Sequence, residues 1–204
     1  LTGGLYGIAG QAMYADTDLI GTIDGSGYAS LAGYEDWLFS AAGGRLWAYN
    51  GSALTPLPFP DGAEVIKVVV GGSRLIAIRS DTEKFYWSDP LASTIGALNF
   101  ATAENQPDRL RDALYIDNML IMFGAETVEF WPLTGDAALP FQPLTGRVFE
   151  KGIKATGCAS AFGATFAWVS DLNQVCISDP DNIISRPGLE ARIEASASAR
   201  LWTA

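Results

Sequence analysis

The chain has 204 residues, with 13 Lys and Arg against 23 Asp and Glu and a formal net charge of −10. So acidic a chain is a poor candidate for gripping a nucleic-acid backbone, because that affinity comes from clusters of Lys and Arg. It contains no histidine, which excludes Ser-His-Asp and Cys-His catalysis and His-ligated metals within this chain.

Short runs rich in Val, Ile, Phe, Tyr and Trp alternate with Gly, Asp, Asn and Pro, a pattern typical of strands and tight turns. In chain order, three strands are predicted at 5–8, 11–14 and 19–23. Four hairpins follow, at 36–41 with 45–49, 74–78 with 84–88, 119–123 with 127–131, and 165–169 with 174–178. A further strand is predicted before each hairpin, at 27–31, 64–70, 113–116 and 157–162, and an irregular segment containing proline after each.

The second strands of the hairpins begin 39, 43 and 47 residues apart, which is the length of one four-stranded propeller blade, about 40–50 residues. We therefore predict an all-β fold, a β-propeller or propeller fragment with about four to five blades of antiparallel strands. The predicted units of this single domain are 1–25 (partial), 26–62, 63–108, 109–152 and 153–204. Four or five blades could close a ring, or equally form part of a larger one, and the apolar ends of the sequence predict a fragment of a longer chain.

One segment breaks the strand pattern. Residues 185–195 predict a short C-terminal helix, with Ser185 as N-cap, Pro187 in the first turn, and Leu189 and Ile193 on one face. A second short turn of helix is predicted at 108–112.

Sequence motifs for bound ligands are weak. Gly25-Ser26-Gly27 lacks the third glycine and the following helix of a nucleotide loop. The oxygen-rich turns do not follow calcium-loop spacing, so we interpret their carboxylates as turn and capping groups; they are Asp16-Thr17-Asp18, Asp24-Gly25 and 179–182. No cofactor and no metal is predicted.

Without histidine, a pair of carboxylates is the catalytic arrangement for hydrolysis that this chain could still form. Propeller glycosidases place two such acids around a channel. The candidate acids are Glu35, Asp36, Glu104, Glu126 and Glu129. The alternative interpretation is solvated charge on blade edges, which discourages edge-to-edge aggregation. We favour the second, predict no catalytic residue, and expect no enzyme.

Two cysteines, Cys158 and Cys176, lie on predicted strands of one unit. Two cysteines are neither a disulfide framework nor a zinc pattern. We predict two reduced, buried thiols, with a single bridge as the alternative.

A Ser-Asp-Pro sequence recurs at 88–90 and 178–180, each time after the second hairpin strand. Since proline cannot continue a ladder, each repeat predicts a strand that ends in an Asp-Pro turn.

Several motifs, taken in order, resemble the packaged-DNA stabilisation proteins of short-tailed bacteriophages. The resemblance covers roughly residues 35–200. It is carried by Phe-Tyr-Trp-Ser-Asp-Pro (85–90), Leu-Asn-Phe-Ala-Thr-Ala-Glu (98–104), Leu-Ile-Met-Phe-Gly (120–124), Thr-Val-Glu-Phe-Trp (127–131), Thr-Gly-Asp-Ala (134–137), Pro-Phe-Gln (140–142), Glu-Lys-Gly (150–152) and Ile184-Ser185.

The resemblance implies a structural virion protein of the tail hub, which plugs the DNA exit channel below the portal and its adaptor. It implies the portal adaptor, tail needle and tailspike proteins as partners, a homo-oligomer in the virion, and assembly in the bacterial host cytoplasm. Neither a direct grip on nucleic acid nor a membrane is expected, and no motif marks the interface residues. The alternatives are a carbohydrate-binding or glycoside-hydrolysing propeller, and a generic protein-binding propeller.

Overall fold

The computed structural model describes residues 4–25, 27–103 and 108–196. Within these ranges the chain forms eighteen β-strands, one α-helix and a turn of 3-10 helix at Pro60–Gly62. The strands make five separate antiparallel sheets of three or four strands, each with its strands in chain order. The prediction of an all-β fold with one short helix near the end of the sequence is confirmed.

The chain divides into two compact units, of which the first comprises Leu1–Ser80 and Phe85–Ala101. It holds three sheets. The first contains β1 (Tyr6–Ala9), β2 (Ala12–Ala15) and β3 (Asp18–Thr22). The second contains β4 (Ser30–Tyr34), β5 (Trp37–Ala42), β6 (Arg45–Tyr49) and β7 (Leu54–Leu57). The third contains β8 (Val65–Gly71), β9 (Arg74–Arg79), β10 (Lys84–Ser88) and β11 (Ile95–Thr102).

The second unit comprises Asp81–Lys84 and Thr102–Ala204. Its first sheet contains β12 (Leu110–Ile116), β13 (Met119–Gly124), β14 (Val128–Pro132) and β15 (Val148–Phe149). Its second contains β16 (Ala159–Phe162), β17 (Thr165–Val169) and β18 (Val175–Ile177), and the helix α1 (Pro187–Ala195) follows. In the described part of the chain, no helix is long and apolar enough to cross a bilayer.

Each of the five sheets lies inside one of the five predicted sequence units. That these units form a single domain stays a prediction.

Tight two-residue turns set the register of three hairpins. Both turn residues have positive φ in each case, as a type I′ turn requires, and this turn matches the right-handed twist of the flanking strands. The turns are Gly43-Gly44, Gly72-Ser73 and Asp117-Asn118. Gly43 is required for a second reason, because a Cβ there would lie 1.8 Å from the carbonyl oxygen of Asp24.

Aromatic and aliphatic side chains fill the space between neighbouring sheets of the first unit. Met13 of the first sheet packs with Leu38 and Tyr49 of the second. A larger cluster joins the second and third sheets and includes Phe39, Leu46, Phe59, Val68, Leu75 and Tyr86. Since one amphipathic sheet cannot bury its face alone, this stacking of sheets is what stabilises each of them.

In the second unit the core lies between the two sheets and is rich in aromatic rings. Phe123 and Phe130 on one sheet meet Phe166 and Trp168 on the other, with ring centroids 5.9 Å apart for Phe123 and Phe166. The Trp168 ring is fully buried. The aromatic residues therefore serve packing between sheets.

Two local sequence predictions are wrong. Residues 108–112 were expected to form a helical turn, but β12 begins at Leu110 and residue 108 belongs to the loop before it. Ser185 is not the N-cap, because Arg186 occupies that position without a side-chain cap. The Ser185 hydroxyl instead accepts a hydrogen bond from Val175 N and donates one to Glu190 Oε1.

The irregular segments after the hairpins also differ from the prediction. In three sheets this segment contains a fourth strand, namely β7, β11 and β15. In the fifth sheet it forms an isolated bridge between Cys176 and Ile183.

Candidate functional site

The acids considered for glycoside hydrolysis in the first unit lie together in a surface turn. Glu35 and Asp36 are the two residues between β4 and β5, where Tyr34 pairs with Trp37. Both carboxylates are exposed, and Glu35 has φ of +51°. These carboxylates are therefore solvated charge in a hairpin turn, and not charge on the edge strand of a sheet.

Glu126 and Glu129, the candidate acids of the second unit that the structure describes, do not form a pair that faces solvent. Glu126 is exposed in the β13–β14 turn, whereas Glu129 on β14 is only 3% exposed. The Oε2 atom of Glu129 accepts a hydrogen bond from Trp131 Nε1 at 3.0 Å. A carboxylate buried in this way cannot reach a sugar on the surface. Glu104 lies outside the described residues.

The oxygen-rich turns bind protein groups. Asp16 Oδ1 accepts the N–H of Leu5 at 2.9 Å, and Asp24 Oδ2 accepts from Arg45 at 2.8 Å. Asp179 Oδ1 accepts the N–H two residues further on, at 2.8 Å, as in an Asx turn. Among residues 4–25, 27–103 and 108–196, no group of three or more Cys, Asp or Glu side chains could hold a metal ion.

The glycine pair considered as a phosphate loop precedes a strand. Gly25 and Gly27 have φ of +89° and +117°, and the next element is β4. Ser26, between them, lies outside the described residues.

The repeated Ser-Asp-Pro sequence makes the same hydrogen bond in both units. The hydroxyl of Ser88 accepts the N–H of Leu75 at 3.0 Å, and that of Ser178 accepts the N–H of Phe166 at 3.5 Å. In each case the serine follows or ends the third strand of the sheet, and the amide belongs to the second residue of the neighbouring strand. The repeat is therefore a structural device that closes a hairpin.

Both cysteines are buried thiols, and no disulfide joins them. Cys158 lies just before β16 and its carbonyl accepts the N–H of Val169 in β17. Cys176 lies in β18, opposite Trp168 of β17. With β17 between them, the two backbones are about 10 Å apart, beyond the reach of about 7 Å for a disulfide. Burial is also the main reason that the pKa of the Cys176 thiol is raised.

Asp108 organises the β13–β14 hairpin, a role that local sequence does not reveal. Its carboxylate is 7% exposed and accepts the N–H groups of Ala125, Glu126 and Thr127 at 2.8, 2.7 and 2.8 Å. The Thr127 hydroxyl adds a fourth bond at 3.1 Å. Gly124 is required beside it, since a Cβ there would lie 2.0 Å from the Asp108 carboxylate.

A β-bulge in β12 directs two charged side chains from the fourth sheet toward the fifth. The register shifts between Leu110 and Asp112, which leaves Arg111 as the extra residue. The Arg111 guanidinium donates to the carbonyl oxygens of Ile153 and Lys154, both at 2.9 Å. Asp112 is fully buried and accepts the N–H of Gly157 at 2.8 Å. These bonds hold the two sheets of the second unit together.

The two lysines of the segment between these sheets also donate hydrogen bonds to oxygens of the second unit. Lys151 Nζ donates to Gln174 Oε1 at 3.2 Å and to Pro180 O at 2.6 Å, and Lys154 Nζ donates to Asn173 Oδ1. Both ammonium groups therefore contact neutral oxygens of their own unit.

The exposed charge is strongly one-sided. Seventeen carboxylate side chains are exposed among the described residues: Asp16, Asp18, Asp24, Glu35, Asp36, Asp61, Glu64, Asp81, Asp89, Asp117, Glu126, Asp136, Glu150, Asp171, Asp179, Asp181 and Glu194. The five exposed basic side chains there are Arg45, Arg109, Arg147, Arg186 and Arg192.

Three of those five arginines are already engaged. Arg45 and Arg109 pair with carboxylates at 2.8 and 3.5 Å, and the Arg147 guanidinium lies 4.1 Å from the centre of the Phe130 ring. The pKa of the Asp136 carboxyl is lowered by hydrogen bonds from the N–H groups of Leu139 and Ala138.

An open cleft of about 780 Å³ lies in the first unit, between the β5–β6 turn and the loop that leads to β8. Its walls are mostly glycine, proline and apolar side chains: Gly43, Gly44, Leu46, Pro56, Leu57, Pro58, Phe59, Gly62 and Ala63. Arg45 and Glu64 are its charged residues, and the first is paired with Asp24. The cleft therefore has no set of convergent catalytic groups.

Comparison with known proteins identifies relatives among the tailed phages. Residues 2–178 match the model of the Phage_stabilise family, described as bacteriophage P22 Gp10, beta-propeller. The tail hub protein gp10 of Salmonella phage P22 is 24% identical, over 81% of this chain and 38% of that protein. The chain thus spans less than half the length of this relative.

Solved structures with a similar fold are much more distant in sequence. YCF48 bound to D1 peptide superposes with a TM-score of 0.57 at 14% identity, over 83% of this chain and 58% of that one. The extracellular domain of BT4673 from B. thetaiotaomicron gives 0.56 at 11% identity, over 88% and 25%. Identities this low support the fold alone.

The family match covers most of the chain, and its description agrees with the five antiparallel sheets. The predicted β-propeller fold is confirmed, and so is the predicted family. The family consists of structural phage proteins and is not an enzyme family. The chain belongs to the phage stabilisation family of P22 Gp10, the tail hub proteins of bacteriophage virions.

Proposed function

We propose that this chain is part of a tail hub subunit that closes the DNA exit channel below the portal and its adaptor. Several copies assemble in the virion tail, after synthesis in the bacterial host cytoplasm, and help to mount the tail needle and tailspikes. The subunit stabilises packaged DNA as a plug, and it has no catalytic activity of its own.

The exposed charge is the observation that carries this proposal. Seventeen carboxylates face solvent among the described residues against five arginines. A wall of this sign repels phosphates and lets DNA slide past, whereas a protein that grips DNA must neutralise phosphates with clustered Lys and Arg. The lysines at 151 and 154 are bound to oxygens of their own unit and do not offer such a cluster.

Mass spectrometry of purified particles tests the virion assignment. Phage-like particles from the source host should contain peptides such as residues 128–147 in stoichiometric, multi-copy amounts. DNA-filled particles that lack these peptides would refute the assignment to the hub.

A titration with duplex DNA tests the plugging mechanism separately. Nonspecific DNA-binding proteins show a Kd of about 10⁻⁴ to 10⁻⁶ M at physiological salt, and we expect this chain to bind more weakly than that. The matched control reverses four exposed charges in or next to turns of the first unit, as Asp16→Lys, Asp18→Lys, Glu35→Lys and Asp36→Lys together, and should gain salt-sensitive binding. A tight, salt-sensitive complex of the unaltered chain with DNA would overturn the mechanism.

A further inference from the structure

The turn that joins β6 to β7 contains the only Asn-Gly sequence of the chain, at Asn50 and Gly51. Both residues are exposed, as are Ser52 and Ala53 after them. Gly51 has φ of +86° and carries no side chain that would shield its nitrogen. Asparagine is among the thermolabile residues, and a following glycine lets the next backbone nitrogen reach the side-chain carbonyl carbon without obstruction.

The hydrogen bonds of this turn engage the side-chain carbonyl and leave the next backbone nitrogen free. Asn50 Oδ1 accepts the N–H groups of Ser52 at 3.0 Å and Ala53 at 2.9 Å. Two N–H groups on this oxygen polarise the carbonyl and stabilise the negative charge that it gains when a nucleophile attacks, as an oxyanion hole does. Within the described part of the chain, the Gly51 N–H has no hydrogen-bond acceptor. It is therefore available to a base from solvent.

We propose that Asn50 is a site of spontaneous deamidation in the folded protein. The Gly51 nitrogen gives its proton to a base from solvent and attacks Cγ of Asn50, which forms a new C–N bond. The bond from Cγ to Nδ2 then breaks, ammonia leaves with a proton from water, and a cyclic succinimide remains. Water opens this ring at either carbonyl and yields aspartate or isoaspartate. The net reaction consumes a water molecule and releases ammonia, and nothing is oxidised or reduced.

The other asparagines that the structure describes are protected by the residue that follows each of them. That residue has a large side chain in every case, which shields its nitrogen: Phe after Asn99, Met after Asn118, Gln after Asn173 and Ile after Asn182. The N–H after Asn173 also donates to Ser170 Oγ at 3.2 Å. The N–H after Asn182 donates to the carbonyl oxygen of Asp181 at 3.0 Å. Neither nitrogen is free to attack.

Aspartate before glycine forms the same succinimide, but the two such aspartates of this chain are held in ion pairs. Asp24 Oδ2 lies 2.8 Å from Arg45 Nη1. Asp61 Oδ2 lies 3.2 Å from Arg79 Nη1. A neighbouring positive charge favours the ionised carboxylate, and an ionised carboxylate is a poor target for a nucleophile. Asn50 is therefore the residue that both the sequence and the structure leave open to attack.

Deamidation at this position alters the end of a hairpin. Isoaspartate adds a CH₂ group to the main chain, and strand pairing begins directly beyond the turn, with Tyr49 opposite Leu54. Leu54 also packs against the cluster of Met13 and Leu38 that joins the first and second sheets. The modification should therefore loosen β7, and amide hydrogens of residues 54–57 should exchange faster in the isoaspartate form than in the unmodified chain.

Incubation of the complete purified chain in water enriched in heavy oxygen tests the proposal. The label enters when water opens the succinimide, so deamidation during incubation is distinguished from any that occurs during digestion. Mass spectrometry of the tryptic peptide 46–67 should show label at position 50 in two separable products, with release of ammonia and a rate that rises with pH. The other described asparagines should take up several-fold less label. No label at position 50, or equal label at all of these asparagines, would overturn the proposal.

Two variants test the attacking nitrogen and the contribution of the turn. Gly51→Ala places a side chain beside that nitrogen and should lower the rate several-fold; circular dichroism establishes that it is folded, since alanine is strained at this φ. Ile183→Gly gives Asn182 the same following residue as Asn50, but Asn182 Nδ2 still donates to the carbonyl oxygen of Ile177, at 3.2 Å in the unaltered chain. Its label should stay several-fold below that of Asn50. An unchanged rate in folded Gly51→Ala would overturn attack by this nitrogen, and equal label at the two asparagines in Ile183→Gly would overturn the role of the turn.

Discussion

Replacing Asp108 by alanine should destabilise the second unit more than replacing any exposed acid. The change removes the acceptor of three backbone N–H groups and of the Thr127 hydroxyl. A buried donor without an acceptor costs about 1–3 kcal/mol. Thr127 is buried, and the amides of Ala125 and Glu126 are partly accessible to water, so we expect a loss of about 3–5 kcal/mol in the free energy of unfolding.

The matched control is Asp81→Asn, because Asp81 has φ of +55°, a conformation that asparagine adopts more readily than alanine. The Asp81 carboxylate is exposed and contacts Arg109 at 3.5 Å, so its removal should cost about 0–1 kcal/mol. Thermal denaturation followed by tryptophan fluorescence should show a Tm lowered by about 2–4 °C per kcal/mol. Amide hydrogen exchange at residues 125–127 gives the local readout and should accelerate in Asp108→Ala alone. Equal stability and equal exchange in the two variants would refute the role assigned to Asp108.

Three further predictions concern the turns and the core. Gly43→Ala should lower the free energy of unfolding, measured by urea denaturation, clearly more than Gly163→Ala does. Both glycines have φ near +60°, where an alanine costs about 1–2 kcal/mol of strain, but only at position 43 would the new Cβ also meet a backbone carbonyl, at 1.8 Å. Equal losses would contradict the clash. Ser88→Ala should lower the free energy of unfolding by about 1 kcal/mol, and by more than Ser178→Ala does in the same assay. The Ser88 hydroxyl accepts a backbone N–H at 3.0 Å, whereas the Ser178 hydroxyl accepts one at 3.5 Å. The reverse order would contradict this prediction. Burial raises the pKa of the Cys176 thiol above its ordinary 9.0. The contribution of this thiol to the free energy of unfolding is therefore present below pH 9 and lost as the pH rises through the pKa of the folded state. A Cys176→Ala chain that loses the same stability at alkaline pH would contradict this prediction.

The hairpins could be predicted from sequence because the information is local. The predicted bounds of β6, β10 and β17 are those of the structure. Alternating apolar residues give the strand, and a few turn residues beside it give the ends. The strand predicted at 27–31 is displaced to Ser30–Tyr34, because no strong turn signal lies between it and the preceding glycines.

The fourth strands could not be predicted in this way. β7 contains Pro56, β11 contains Gly96 and Asn99, and β15 has only two residues. Each forms because the third strand of its sheet offers unpaired backbone groups along its outer edge. The residues of the fourth strand itself carry no signal of this. Strand formation of this kind depends on tertiary context more than on propensity.

The acidic character of the surface could be predicted from sequence, but the sequence does not show which carboxylates are buried. Asp108 and Asp112 look like Asp117 in sequence, yet the first two are buried and Asp117 is exposed. Apart from the Ala113 amide next to Asp112, the backbone amides that they bind lie 17 to 45 residues away along the chain. A single sequence gives no signal for such a distant partner.

The buried polar groups argue that the interior of this chain serves structure and that its functional information lies on the surface. Asp108, Asp112 and Ser88 direct their oxygens to backbone amides, and Arg74 donates to the carbonyl of Ser88. Among the described residues, only the Ser40 hydroxyl is buried without a hydrogen-bond partner. An enzyme holds some of its polar groups toward a cleft for substrate, at a cost in stability, whereas these groups join strands and sheets. The contacts of this chain with other molecules then depend on its outer surface, where, among the described residues, seventeen carboxylates are exposed against five arginines.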